Sequence, residues 1–369
     1  MNSPQVSVIV TAHNYAEYIR EALDSIFSQT FGDFEIIIVD DGSTDETPEI
    51  LREYSYQYPE KVRIITLDGI GLAGACNRGI ETASGEYIVR LDADDYFDEN
   101  ILTVETRYLD ANPGVDLVYP DYYTIDKNGE VINHVRLPEV GKEVKLLDRS
   151  PLAAGAMYRK KAWKKLGGYN EALSYQEDYD FWVKFISRFT VNNINLPLMY
   201  YRQHDGSMST NFSARMNTRR GLKQEFVEER IDLSGYDILG IIPARQESRI
   251  DPPRSKNDIS NLALSTVAGS PLIEYSIKES LASNRIDRLV VSTENEDIAN
   301  VARNAGAQVP FLRNDTLSTP TSELWEVVES VLQRENGEYN PDIITILPYV
   351  TPLRTADQID EAIDTSLMF

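Results

Sequence analysis

Residues 5–110 alternate between short apolar, β-branched runs and amphipathic segments. Between the runs, apolar residues recur at helical spacing, as in Ile19, Ala22, Leu23 and Ile26. Strands that alternate with helices are typical of a mostly parallel sheet with helices on its faces, so the predicted fold class is α/β. The predicted strands of this region are Val6–Thr11, Phe34–Val39, Val62–Leu67 and Tyr87–Leu91.

Local signals in the loops predict where helices and one hairpin begin. Asn14 with Glu17, and Ser43 with Glu46, have the spacing of capping boxes ahead of helical segments. Asn128-Gly129 lies between extended runs and predicts a hairpin turn.

A second α/β segment begins near residue 235. Ser234-Gly235 has the composition of a hinge, and a new apolar strand follows at Asp237–Ile242. The polar stretch before the hinge has helical character, so we predict a helical linker over residues 213–235. The first domain is then predicted over residues 1–212 and the second over residues 236–369.

Acidic residues follow two of the predicted strands directly. Asp40-Asp41 comes after Val39, and Asp92-Ala93-Asp94-Asp95 comes after Leu91. The carboxyl ends of parallel strands line the crevice in which open α/β sheets bind ligands. Hard divalent cations take oxygen ligands and share them with phosphates, so the clusters favour a metal-bound nucleoside diphosphate. The alternative is that both clusters form Asx turns and cap the following helices, and the residues alone leave it open.

Composition restricts the partners. The chain of 369 residues is 42% hydrophobic and 26% charged, which is typical of a folded protein of two or three domains. Its net charge of −23 disfavours wide contact with nucleic acid, which needs basic patches. No apolar run is long enough to span a membrane, and the N-terminus lacks the pattern of a signal peptide, so we expect a cytoplasmic protein.

Six short motifs follow one another in the first domain: Val6–Asn14, Val39–Asp45, Asn77–Ile80, Ala83–Ile88, Asp92–Asp95 and Glu177-Asp178. In this order they resemble the motifs of family 2 inverting glycosyltransferases, and the resemblance covers roughly residues 4–210. It implies a Rossmann-like GT-A domain that moves a sugar from a nucleotide-diphosphate donor, expected to be a UDP-sugar, to a saccharide or glycan acceptor. Surface polysaccharide biosynthesis is the implied pathway, and a lipid-linked acceptor would bring the protein to a membrane surface.

The same resemblance implies the nucleotide-binding residues. Thr11 would lie beside the nucleotide at the end of the first strand. Asp41 would accept a hydrogen bond from a uracil-like base, with Asp40 supporting the loop. Asp92 would face the ribose or a metal-bound water.

The resemblance also implies the metal ligands and the catalytic base. Asp92-Ala93-Asp94 matches the family's DxD motif, so Asp94 would bind Mn²⁺ or Mg²⁺ with the diphosphate, together with Asp92 and with His204 from a covering loop. Asp178 would be the general base and Glu177 would orient it or contact the acceptor. The alternatives are an exposed loop histidine at His204 and helix capping at Glu177 and Asp178.

The second domain contains five spaced motifs: Ile241–Arg245, Gly269–Ile273, Val290–Thr293, Val309–Arg313 and Pro352–Ala356. Together they resemble the front part of the acylneuraminate (CMP-sialic acid) cytidylyltransferases. It implies that Arg245 and Lys256 meet nucleotide phosphates, whereas the alternative is a solvated basic loop. It also implies pairing of two copies through this domain.

The second domain departs from that family's pattern in two places. Residues 245–257 lack the family's loop glycines, and the chain ends before the acidic segment that supplies the family's metal ligands. We therefore expect an incomplete nucleotidyltransferase-like domain without turnover. The preferred functional hypothesis is that the protein is a metal-dependent inverting glycosyltransferase. The alternatives are a CMP-sugar cytidylyltransferase and a non-catalytic nucleotide-binding scaffold.

Overall fold

The computed structural model describes residues 3–144, 150–152, 155–204, 212–246, 261–319, 322–334 and 340–368. Lys256, one of the predicted phosphate-binding residues, lies outside these ranges. The chain divides into two compact units, Met1–Leu222 and Lys223–Phe369. The division falls inside the segment 213–235 for which a helical linker was predicted.

In the first unit the strands and helices alternate as the apolar pattern predicts. The elements are β1 (Val6–Ala12), α1 (Ile19–Phe27), β2 (Phe34–Asp40), α2 (Thr47–Gln57), β3 (Val62–Thr66), α3 (Leu72–Thr82), β4 (Tyr87–Asp92), β5 (Tyr96–Phe97), α4 (Ile101–Ala111), β6 (Leu117–Ile125), β7 (Val131–Val135), β8 (Met157–Arg159), α5 (Lys160–Leu166), α6 (Glu177–Ile186) and β9 (Val191–Arg202). Helix α7 (Phe212–Arg230) begins in this unit and contains the division between the two units.

The described strands of this unit form one sheet in the order β3-β2-β1-β4-β8-β6-β9-β5, with β7 paired to β6. Strands β1 to β4 are parallel, which confirms the predicted α/β class. β8 joins this half to β6 through antiparallel pairs on both sides, and β9 then runs parallel to β6. The hairpin predicted at Asn128-Gly129 is confirmed, because β6 and β7 pair antiparallel across it and Gly129 has a φ of 89°.

The centre of the sheet brings the two acidic clusters to one edge. Every residue of β1 is buried, as its continuous apolar run predicts for a central parallel strand. Thr11, near the end of β1, is in register with Val39 on one side and with Asp92 on the other. The loops that follow β1, β2 and β4 therefore emerge side by side.

The capping boxes predicted in two of these loops are wrong. Neither α1 nor α2 has a side-chain hydrogen bond at its N-cap. Instead, Asn14 has a left-handed backbone (φ 61°), and its side-chain oxygen accepts from the backbone N–H of Thr44 at 2.7 Å and of Asp45 at 3.3 Å. Ser43 accepts from the backbone N–H of Asn14 at 2.9 Å. These residues tie the loop after β1 to the loop after β2.

The second unit is a separate, smaller α/β structure. Its elements are β10 (Ile238–Pro243), β11 (Thr266–Val267), β12 (Ser270–Pro271), α8 (Leu272–Leu281), β13 (Arg288–Ser292), α9 (Glu296–Asn304), α10 (Leu324–Arg334), β14 (Ile343–Ile346) and α11 (Ala356–Leu367). Strands β13, β10 and β14 form a parallel sheet in that order. None of the helices in the described parts of the chain is both long and apolar enough to cross a lipid bilayer.

Candidate functional site

A cavity of about 510 Å³ opens at the carboxyl ends of β1 and β4, and we call it the strand-end cavity. It is also lined by the loop before α6 and by one residue of α7, Arg215. The residues of this lining that the sequence predicts for the site are Thr11, Asp41, Asp92, Asp94, Glu177 and Asp178. Residues from separate parts of the chain, predicted to bind nucleotide, metal and acceptor, therefore face one space.

The first acidic cluster shapes the wall of the cavity. Asp41 accepts from the backbone N–H groups of Ile70 (2.8 Å) and Gly71 (2.7 Å), one to each carboxylate oxygen. Gly71 has a φ of 88°, a backbone that glycine adopts without steric cost. Asp40 is buried and accepts from the backbone N–H of Ser43 at 3.0 Å, so it supports the turn. Asp41 therefore holds the glycine-rich loop against the end of β2.

Arg90 is a site residue that the sequence reasoning missed. Its guanidinium is 4% exposed, with Nη2 at 3.2 Å from Asp92 Oδ2 and Nη1 at 3.4 Å from Glu177 Oε1. Thr11 also donates to Asp92, at 3.5 Å. A charged residue inside the apolar run Tyr87–Leu91 was the available signal, because a buried cation needs a paired anion.

The second acidic cluster is crowded. Burial and then the charge of Asp92 raise the pKa of Asp94, whose Oδ2 lies 3.0 Å from His204 Nε2. Burial and then the charge of Asp94 raise the pKa of Asp95 well above its usual range. Asp95 accepts from the backbone N–H of Arg202 at 2.8 Å, while its other oxygen is buried with no hydrogen-bond partner among the described residues. Burial and neighbouring like charges thus both disfavour the ionised forms of Asp94 and Asp95.

His204 lies against this cluster. Its side chain is 11% exposed, so the alternative of an exposed loop histidine does not hold. The imidazole packs near two aromatic rings, with ring centroids 5.1 Å from Tyr18 and 6.3 Å from Tyr15.

The donors near Asp94 fit a cation that arrives with a diphosphate. Within the described ranges, no three Asp, Glu, His or Cys side chains converge as a ready-made metal site. Asp94 and His204 nevertheless place a carboxylate oxygen and an imidazole nitrogen 3.0 Å apart. Mg²⁺ is commonly held by one or two carboxylates and substrate phosphates rather than by a complete protein cage. The partial donor set and the unsatisfied oxygen of Asp95 agree with that mode.

Glu177 and Asp178 open α6 in its first turn. Burial, and then the charge of Asp178, raise the pKa of Glu177 to about 7. Asp178 belongs to the cavity lining, and its backbone carbonyl accepts from the Ser150 hydroxyl at 3.1 Å. The helix N-cap is Gln176, which makes no side-chain capping bond and has a φ of 63°.

Helix α7 contributes to this site from the segment predicted as a linker. Arg219 Nε donates to Gln176 Oε1 at 2.8 Å, and its guanidinium lies 4.5 Å from the centre of the Tyr179 ring. Arg215, one turn earlier on α7, lines the strand-end cavity. The spacing of four residues between the two arginines was the signal in the sequence.

Asn77 holds the loop between α5 and α6. Its side-chain nitrogen donates to the Tyr169 carbonyl and to Glu171 Oε1, both at 2.9 Å. Its side-chain oxygen accepts from the Tyr169 backbone N–H at 2.9 Å. A β-carbon on Gly168, whose φ is 80°, would stand 2.7 Å from that oxygen. The close approach places Glu171 in the cavity lining.

The second unit has its own cavity of about 530 Å³, past the carboxyl ends of β10 and β14. Arg245 lines it and donates through Nη1 to the Thr319 carbonyl at 2.9 Å. Arg245 Nη2 is buried with no hydrogen-bond partner in the described part of the chain. Arg313 also lines the cavity, but it is paired with Glu294 at 3.0 Å.

Each of the two units matches the profile of a known protein family. Residues 7–169 match the profile of Glycosyl transferase family 2, and residues 239–363 match that of Cytidylyltransferase. An uncharacterized glycosyltransferase of Rickettsia prowazekii is 32% identical over 244 residues, which cover 63% of this chain and 72% of the relative. Chondroitin synthase of Escherichia coli is 32% identical over 193 residues, covering 52% of this chain and 28% of the synthase. The chain spans 36% of a similar glycosyltransferase of Rickettsia bellii.

Among solved structures, the first unit is similar to S. aureus TarS 1–349, crystallised in complex with UDP-GlcNAc. The TM-score is 0.52 at 24% identity, covering 60% of this chain and 66% of that one. This likeness establishes the GT-A type of fold and nothing further.

Proposed function

Because the chain belongs to glycosyltransferase family 2, we propose that its first unit transfers a sugar from a nucleoside-diphosphate donor to a saccharide acceptor, with inversion at the anomeric carbon. The observation that carries the proposal is the meeting of Asp92, Asp94, Glu177 and Asp178 in one cavity of about 510 Å³. A cavity of this size can enclose a small ligand, and the few polar side chains that converge in it can orient that ligand.

In the proposed reaction, Asp178 acts on the acceptor and Asp94 acts on the donor. The bond between the anomeric carbon and the diphosphate oxygen breaks, and the acceptor oxygen bonds to the opposite face of that carbon. Asp178 accepts the proton that the acceptor hydroxyl loses. Asp94 and His204 would hold Mn²⁺ or Mg²⁺, which when bound acts as a Lewis acid toward the departing diphosphate. Arg90 keeps Asp92 and Glu177 in position through ion pairs with both carboxylates.

Similar proteins suggest the substrate class. The chain is 32% identical to chondroitin synthase of Escherichia coli and to hyaluronan synthase of Pasteurella multocida over about half its length. We therefore propose a UDP-sugar donor and a polysaccharide acceptor. The cytoplasmic location, pairing through the second unit and contact with a membrane through a lipid-linked acceptor remain parts of this proposal.

A donor-hydrolysis and transfer assay tests the function. Purified full-length protein is incubated with UDP-GlcNAc, UDP-glucuronic acid, UDP-glucose or GDP-mannose, with Mn²⁺, Mg²⁺ or EDTA, and the released nucleotide is measured. We expect metal-dependent release from at least one UDP-sugar and none from the Asp94→Ala variant. Equal release from wild type and Asp94→Ala would refute the assignment.

For the second unit we propose nucleotide binding without nucleotidyl transfer. Arg245 has a buried nitrogen without a hydrogen-bond partner among the described residues, beside a cavity of about 530 Å³, and this supports an anionic ligand there. Calorimetry with CTP should give binding to wild type that Arg245→Ala abolishes. Formation of a CMP-sugar from CTP and a nine-carbon acidic sugar would instead show that the second unit is an active cytidylyltransferase.

A further inference from the structure

Arg202 ends β9 and joins three separate parts of the first unit. The side chain is 2% exposed. Its Nε donates to the Asp94 carbonyl at 2.8 Å, and its Nη1 donates to the carbonyls of Asp126 (3.3 Å) and Lys127 (3.2 Å) in the β6–β7 turn. Its Nη2 pairs with the Glu21 carboxylate on α1.

The backbone and the flat face of Arg202 make further contacts. Its backbone N–H donates to Asp95 Oδ1 at 2.8 Å. The guanidinium lies 4.9 Å from the centre of the Tyr18 ring and 5.9 Å from that of Tyr96. Tyr18 in turn lies beside His204. The arginine is therefore bonded to the acidic loop and packed against a ring that contacts His204.

We infer that Arg202 is a positioning residue that sets the separation of Asp94 from His204. Arg202 bonds the carbonyl of Asp94 directly. It is also the last residue of β9, and His204 follows it by two positions. The acidic loop carries three carboxylates in four positions, and like charges repel one another, so the cation bonded to this loop through Asp94 and Asp95 opposes the movement that repulsion favours.

A guanidinium suits this position better than an ammonium group. Its planar fork presents several N–H donors in fixed directions, here toward the acidic loop, the turn and α1. A lysine carries its three N–H donors on a single nitrogen, so it does not reproduce the fixed, separated directions of the guanidinium. The inference rests on the proposed function, because Asp94 and His204 are the residues assigned there to the cation.

The test compares Arg202→Lys with a matched control, Arg159→Lys. Arg159 is also buried, and it donates to the carbonyls of Val115 and Leu109, to Glu86 and to the Tyr87 hydroxyl. It lies at the opposite end of the sheet, since it is in register with the first residue of β4. Loss of the guanidinium group in either variant should lower the thermal stability of the protein to a similar degree.

Two measurements separate positioning from general stability. Mn²⁺ affinity in the presence of UDP is measured by electron paramagnetic resonance, and backbone hydrogen exchange of residues 92–98 is measured without metal. We expect Arg202→Lys to weaken Mn²⁺ binding by about 10- to 100-fold, as for groups that orient metal ligands, and to speed exchange in that loop. Arg159→Lys should change neither.

Two outcomes would overturn the inference. One is unchanged exchange of residues 92–98 in Arg202→Lys, and the other is an equal loss of Mn²⁺ affinity in Arg202→Lys and Arg159→Lys. If Arg202→Lys does not fold, Glu21→Met removes the acceptor of one bond of the same guanidinium at a half-exposed partner, and unchanged exchange in it would count equally against the inference. If wild type binds no Mn²⁺, the metal assignment in the proposed function fails, while the exchange comparison still decides the role of Arg202.

Discussion

Arg90 and Glu177 form an ion pair, 3.4 Å from Nη1 to Oε1, although 87 positions separate them in the chain. The same guanidinium holds Asp92, the last residue of β4. One buried cation therefore sets the acidic end of β4 against the start of α6. Two carboxylates that line the cavity are thus connected through this arginine.

Replacement of Arg90 by Met should destabilise the first unit strongly. Asp92 and Glu177 would lose their buried partner, and removing one member of a buried ion pair typically costs about 3–5 kcal/mol. Urea unfolding measures the loss. The control is Arg78→Met, which breaks an exposed pair with Glu81 and should cost under about 1 kcal/mol. A loss in Arg90→Met no larger than in the control would show that Arg90 is not needed to neutralise the two carboxylates.

Replacement of Asp178 by Asn should reduce kcat by about 10²–10⁴-fold, because the acceptor proton would have no base to receive it. Donor affinity should stay the same, because the assigned nucleotide contacts are elsewhere in the cavity. Single-turnover transfer and calorimetry with UDP measure the two quantities. Glu171→Gln changes another carboxylate of the same cavity and serves as the control. Full activity in Asp178→Asn would move the base assignment to a different residue.

Replacement of Arg219 by Met should lower kcat without changing UDP affinity. The variant loses the bond to Gln176 and the contact with the Tyr179 ring, which hold the residues on either side of Asp178. The exposed Arg188, changed to Met, is the control for loss of a positive charge in the same unit. If kcat and KM both match wild type, α7 does not support the site.

Replacement of Glu105 by Met should stabilise the protein at neutral pH. This carboxyl group on α4 is 0% exposed, and neither oxygen has a hydrogen-bond partner among the described residues. Burial alone raises the pKa of Glu105 well above its usual range. The unfolded chain therefore releases this proton at lower pH than the folded chain does, so its contribution to stability falls as pH rises above its ordinary pKa.

The expected gain for Glu105→Met is about 1–3 kcal/mol near pH 7 and smaller near pH 4. Denaturant unfolding across this pH range measures the difference from wild type. Glu99→Met, at an exposed position before α4, should lie within about 0.5 kcal/mol of wild type at each pH. A gain that grows toward low pH would contradict the sign of the argument.

The sequence by itself determined the elements of β1 to β4 and the placement of acids at their ends. Strand and helix patterns repeat every two or 3.6 residues, so a short stretch of chain carries them. The parallel order of neighbouring strands then brings Asp41, Asp92 and Asp94 to one edge. The Asn128-Gly129 turn was predictable for the same reason, because its backbone demand is met by the two residues themselves.

Only the tertiary structure decided how the polar residues pair. Asn14 and Ser43 have capping-box spacing, yet they bond each other's loops, because neighbouring parallel strands bring those loops within reach. The partners of Arg90 and Arg202 lie up to 181 positions away, and α7 reaches the site after a long separation in sequence. A buried charge signals that some partner exists, but which carboxylate it meets depends on strand register and helix packing across the whole unit.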